Sequence, residues 1–162
     1  MDNIFGNLFF VGFQRKISTS LLEEINPAGI ILYPENMRDV NFLQLSMEHI
    51  YSLFDKGYRF FISSDHEGGQ LETVPNVFPS PGNLALGKEN GAYSYGKYLG
   101  NILSLHGFNI LFAPVADVKY PFSSHATGFR AFSSDHAIVE KASQDFIEGL
   151  SEHGIAATLK HF

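Results

Sequence analysis

Asp65, His66 and Glu67 stand in a row between the apolar run YRFFI (58–62) and a glycine pair, Gly68-Gly69. Carboxylates beside an imidazole can hold hydroxyl groups, ligate a cation or move a proton. Other charged side chains also interrupt apolar surroundings: Asp117 after FAPVA, Arg130 within TGFRAF, and Lys160-His161 at the end of IAATL. Each has an ordinary alternative. Asp65 and Asp117 can serve turns, and Glu67 and His66 are by type more often solvated or structural. Arg130 can pack its stem among aromatics and leave its head wet, while Gly68 and Gly69 supply positive φ or room for a close approach. Lys160 fits a structural role least well, because a lysine rarely ends an apolar run without an anionic or hydroxyl-rich partner. His49, His106, His136 and His153 fall in helical patterns and read as surface or packing residues. A metal site from Asp65, His66, Glu67 and His161 lacks any H-E-x-x-H or paired-histidine spacing. No metal or other cofactor is expected.

The elements that must position these residues alternate regularly. GNLFFVGF (6–13) reads as a strand and STSLLEEIN (18–26) as a short helix. AGIILY (28–33) is an apolar strand stopped by Pro34. Residues 39–57 repeat apolar side chains at three and four spacing, a helix closed by Gly57. YRFFIS (58–63) is a strand, and residues 74–91 form a long Pro/Gly-rich loop. A helix over 92–107, a strand over 108–115 and a polar and aromatic segment over 116–135 follow. A helix over 135–154, with Asp135 as its N-cap, and a strand over 155–162 complete the pattern. Strands that are apolar on both faces, separated by helices, predict an α/β fold with a parallel sheet. Both a doubly wound open sheet and part of a (β/α)8 barrel satisfy this order. In either, ligands bind beyond the C-terminal strand ends. Those ends carry Asp65, Asp117 and Lys160-His161, and the long loops follow the third and fourth strands.

With 162 residues, 44% hydrophobic and 17% charged, the chain is long enough for one globular domain. A net charge of −6 with no basic cluster argues against nucleic acid. The lack of cysteine excludes disulfides and thiolate metal sites. No apolar stretch reaches a membrane span of about 18 residues. The N-terminus carries acid before its short apolar run, unlike a secretory leader, so a cytoplasmic location is expected.

Five ordered segments resemble family 3 glycoside hydrolases, in the branch of the bacterial β-N-acetylglucosaminidases. SSDHEGGQLETV is similar to the D-x-E-G-G-R segment, and NPAGIILYPENMRD to the second strand and its loop. GFNILFAPVADV is similar to G-x-N-x-x-F-A-P-V-x-D-V, ATGFRAFSSD to I-G-x-R-S-F-x-x-D, and AATLKHF to the start of A-x-x-K-H-F-P-G-H-G. The resemblance implies a (β/α)8 barrel of the TIM type, of which residues 1–162 supply about the first five strands and four helices, cut just after KHF. It implies retaining hydrolysis of β-linked, β-N-acetylglucosaminide-like substrates. By the same resemblance Asp65, Arg130, Lys160 and His161 would bind the sugar, supported by Glu67, Gly68, Gly69 and Asp117. The family's acid/base His–Asp pair and nucleophilic Asp lie beyond KHF, so no catalytic residue is expected within this chain. His66 replaces the usual Gln, Gln70 the usual Arg, and Ala131 a common Ser, departures that bear on sugar preference. The expected partner is a small carbohydrate, with neither nucleic acid nor membrane, and self-association through open barrel edges. Two alternatives stand beside hydrolysis: a non-catalytic sugar-binding remnant ending at Phe162, and a metal- or phosphate-using α/β enzyme.

Overall fold

The computed structural model describes residues 4–14, 18–54, 56–120 and 127–161. Its strands are β1 (Phe10–Val11), β2 (Gly29–Leu32), β3 (Phe61–Ser64), β4 (Ile110–Leu111) and β5 (Ala156–Ala157). Its α-helices are α1 (Thr19–Ile25), α2 (Val40–Phe54), α3 (Asn83–Lys88), α4 (Ala92–Leu105) and α5 (His136–Ser151). All pairings are parallel: β1 with β2, β2 with β3, and β4 with β5. Backbone bonds from Asn109 to Ile62 and from Phe112 to Ser64 link β3 to β4. The Asn109 side chain extends this ladder, accepting from the Ile62 N–H at 2.7 Å and donating to the Phe60 carbonyl. The result is a mixed α/β fold with five parallel strands in chain order, as the alternation predicts.

The strands are buried on one side beneath helices. Ile30, Leu32, Ile62 and Leu111 join Leu43, Ile50, Leu99 and Phe146 in one apolar core. On the other side Phe10, Phe61 and Phe112 form an aromatic row, with ring centroids 6.2 Å and 5.1 Å apart from Phe10. Gly29 makes the row feasible, because a Cβ there would collide with the Phe10 ring. Residues 61, 63 and 65 share this side by the period of a strand, so the sequence of β3 aims Asp65 along the row.

Helices α4 and α5 pack closest of all. A side chain at Gly96 would strike the Phe146 carbonyl, and one at Gly149 the backbone of Tyr93 and Lys97. Asp135 caps α5 by accepting from the Ala137 N–H at 2.8 Å, as expected for an N-cap. The segment carrying Arg130 meets this pair through Phe132, whose ring centroid lies 6.4 Å from that of Phe146 on α5.

Three expectations need correction. Residues 6–13 are not one strand: residues Ile4–Leu8 form a 3-10 turn and only Phe10–Val11 pair. Gly6 lies where a side chain would meet the Ile25 carbonyl, so the turn packs on the end of α1. Among the described residues there are five α-helices rather than four, because α3 forms inside the loop assigned to 74–91. The last strand is short: regular pairing covers 156–157, with an isolated bridge between Val115 and Lys160. Phe162 and residues 121–126 of the second long segment lie outside the described residues.

Candidate binding site

Beyond the ends of β3, β4 and β5 six side chains join in one chain of contacts. Glu67 is its centre. Arg130 donates to both Glu67 oxygens, from Nε to Oε2 and from Nη2 to Oε1, each at 2.6 Å. Lys160 Nζ lies 2.5 Å from Glu67 Oε1 and 2.5 Å from Asp65 Oδ1. At the other end Arg130 Nη2 is 3.1 Å from His161 Nε2, and His161 Nδ1 is 2.7 Å from Asp117 Oδ2. Asp117 also accepts from the His161 backbone N–H at 3.2 Å. A guanidinium can only donate, so His161 Nε2 accepts and its proton sits on Nδ1, facing Asp117.

Burial grades across the cluster. The Glu67 side chain is 0% exposed, whereas Asp65 and His161 are 36% and 44% exposed. Burial alone pushes the Glu67 carboxyl up, but hydrogen bonds and charge from Arg130 and Lys160 hold it below the ordinary carboxylate range. The Arg130 guanidinium is held above its ordinary value, chiefly by its bonds to Glu67. Glu67 thus stays ionised and fixes two cations, and Asp65 leans out from the same lysine. Asp65 Oδ2 has no partner among the described residues, so it remains a free acceptor.

Local chemistry explains the placement. Gly68 and Gly69 both take positive φ, 86° and 62°, which glycine adopts without a Cβ clash. They form a tight turn in which the Glu67 and Gly68 N–H groups donate to the Leu71 carbonyl. The close approach they permit is to residues 80–82, since a Cβ on Gly68 would meet Ser80 and one on Gly69 would meet Gly82. Glu72 ties that neighbour down, accepting from Gly69 N–H at 3.0 Å and Ser80 N–H at 2.7 Å.

His66 is neither solvated nor a member of the cluster. It is fully buried, and its Nδ1 accepts from the Thr73 and Val74 N–H groups at 3.0 and 3.1 Å. Its Nε2 is 3.3 Å from the Tyr95 hydroxyl on α4. Burial holds this imidazole down at about 4. Sequence reasoning gave no role to Asn83, whose buried amide at the start of α3 donates to the Arg130 carbonyl at 2.7 Å. Only the Pro-Gly-Asn turn signal at 81–83 marks it. Ala131 and Phe132 are buried, anchoring the same segment. Lys160 and His161 reach one cluster because both lie past the regular part of β5. Among the described residues, no group of three His, Asp or Glu side chains is arranged to hold a metal. No helix there is long and apolar enough to cross a membrane.

The model of the glycosyl hydrolase family 3 N-terminal domain matches residues 2–162. The β-hexosaminidase of Thiobacillus denitrificans is 33% identical over 159 residues, covering 92% of this chain and 42% of that protein. A crystal structure of the β-N-acetylglucosaminidase from Thermotoga maritima is 36% identical, with TM-score 0.80, covering 97% of this chain and 34% of that one. A family 3 β-N-acetylglucosaminidase structure from a Paenibacillus species is 28% identical, with TM-score 0.86, covering 100% and 33%. The chain spans less than half the length of these relatives. On a match along nearly its whole length, the chain belongs to glycosyl hydrolase family 3, to the N-terminal domain, and is like the β-N-acetylglucosaminidase branch.

Proposed function

We propose that residues 1–162 form the N-terminal part of a (β/α)8 barrel and the sugar-holding half of a glycosidase site for β-N-acetylglucosaminide-like substrates. The observation that carries this reading is the cluster of Asp65, Glu67, Arg130, Lys160 and His161 at one end of the parallel strands, in a chain of this family. Asp65 offers a free carboxylate oxygen to two adjacent sugar hydroxyls. Lys160 contacts Asp65 and Glu67, and of its three donors one is left for a sugar hydroxyl. Glu67 touches no sugar on this reading; it keeps Arg130 and Lys160 at fixed separation. Supporting roles for Gly68, Gly69 and Asp117 follow from the turn and from the Asp117–His161 bond. Hydrolysis with retention needs a nucleophile and an acid/base on either side of the scissile bond. On this reading both belong to the portion of the relatives' length that this chain does not span. The ligand is a small carbohydrate and the setting cytoplasmic.

The test is Asp65→Ala in the native gene product, assayed on an aryl N-acetyl-β-glucosaminide. Losing a charged hydrogen-bond acceptor costs about 1.5–3 kcal/mol, so kcat/KM should fall by about ten- to a hundredfold. Unchanged kinetics would remove Asp65 from the site. Sugar binding without turnover by the wild type would favour a non-catalytic sugar-binding protein instead.

A further inference from the structure

Phe129 is 60% exposed although its neighbour Arg130 belongs to the central cluster. A single exposed aromatic needs no explanation; what surrounds this one is informative. The Lys119 ammonium lies over its ring, 4.6 Å from the centroid, and pairs with no carboxylate among the described residues. Gln70 reaches towards the same place, since a Cβ on Gly128 would lie 3.8 Å from Gln70 Oε1. The Gln70 amide is exposed and makes no hydrogen bond to the described residues.

Each of these groups rides on a segment that the cluster already fixes. Phe129 adjoins Arg130, and consecutive Cα atoms are only about 3.8 Å apart. Lys119 comes two residues after Asp117, its backbone N–H bonded to the Ser133 carbonyl at 2.9 Å. Gln70 lies within the tight turn that runs from Glu67 to Leu71. With Lys119 held over one face of the exposed ring, the opposite face can accept the C–H face of a pyranose, and the nearby Gln70 amide supplies a donor and an acceptor for ring substituents. A phosphate-rich ligand would call for clustered cations instead.

We propose that Phe129, Lys119 and Gln70 form a second sugar subsite, receiving the ring next to the one held by Asp65, Arg130, Lys160 and His161. The ligand class is a β-linked, N-acetylated disaccharide or longer oligosaccharide. This subsite rests on the sugar-binding reading of the cluster, and the test separates the two. Calorimetry on the native gene product compares N-acetylglucosamine with the uncleavable S-linked N,N′-diacetylchitobiose, for the wild type, Phe129→Ala and Phe129→Tyr.

The wild type is expected to bind the disaccharide more tightly than the monosaccharide. Phe129→Ala should weaken the disaccharide about tenfold and leave the monosaccharide within about twofold, while Phe129→Tyr keeps both. Wild-type disaccharide affinity in Phe129→Ala overturns the subsite and leaves the cluster reading intact. Equal losses for both sugars overturn it too, because Phe129 then acts on the first subsite or on the fold. If the wild type binds neither sugar, the cluster reading fails and the subsite with it.

Discussion

His66 shares its backbone with both neighbouring carboxylates, yet its ring points away from them, to the Thr73 and Val74 amides and Tyr95. A doubly accepting Nδ1 requires the neutral ring, and adding a proton there would break both bonds. Its folded pKa of about 4 lies below the unfolded value of 6.5. The unfolded chain therefore takes the proton first, so stability is full above pH 6.5, falls as pH drops, and levels off below about 4. The loss is on the order of 3 kcal/mol. Thermal melts between pH 7 and 4 should show this slope in the wild type and lack it in His66→Gln; matching slopes would reject the assignment. Glu67 follows a different course: its contribution is whole above the ordinary carboxylate value, begins to fall as pH drops through that value, and is gone only once pH has passed its lowered folded pKa. Residue type alone could not reveal this glutamate as the centre of the site. Its partners come from far along the chain, Arg130 from 63 positions away, and only the fold brings two cations to one buried acid.

At the scale of elements, the α4–α5 pair bears on the Arg130 segment through Phe132, whose ring meets Phe146 of α5. Gly96→Val would push into the Phe146 backbone. Overpacking of this kind costs about 1–3 kcal/mol, and a β-branched side chain has few rotamers with which to avoid the clash. Urea denaturation should show a lower midpoint, and sugar affinity should fall with it; a midpoint within error of wild type would mean the helices have slack. The same pair shows what was legible beforehand. Both helices announce themselves by apolar spacing, and Asp135 marks the start of α5. The run at 6–13 misleads because apolar residues here do not mean burial: Leu8 and Phe9 are exposed, and the local turn satisfies the backbone instead. Helix α3 was hidden by its length, since NLALGK is too short for any period to show. The Asn109 bridge between β3 and β4 leaves no sequence signal, because an asparagine before a strand usually serves a turn.

On the scale of the whole molecule, the aromatic row and the outermost strands matter most. Phe61 is 50% exposed, and β1 and β5 each have a strand neighbour on one side only among the described residues. Unpaired strand edges beside open apolar surface favour association. The 162-residue chain, expressed alone, should therefore sediment as dimers or larger species, with Phe61→Ser shifting it towards monomer. A sharp monomer boundary with cooperative melting would contradict this. The central ion-pair network also has a consequence for synthesis. Glu67 is made early, but Arg130 comes 63 residues later and Lys160 about thirty residues after that. At ribosomal rates of about 5–20 residues per second, Glu67 waits several seconds for its cations, and burying it unpaired is costly. The strand end carrying Asp65 and Glu67 therefore stays hydrated during elongation, and the ion-pair cluster sets only when Lys160 arrives.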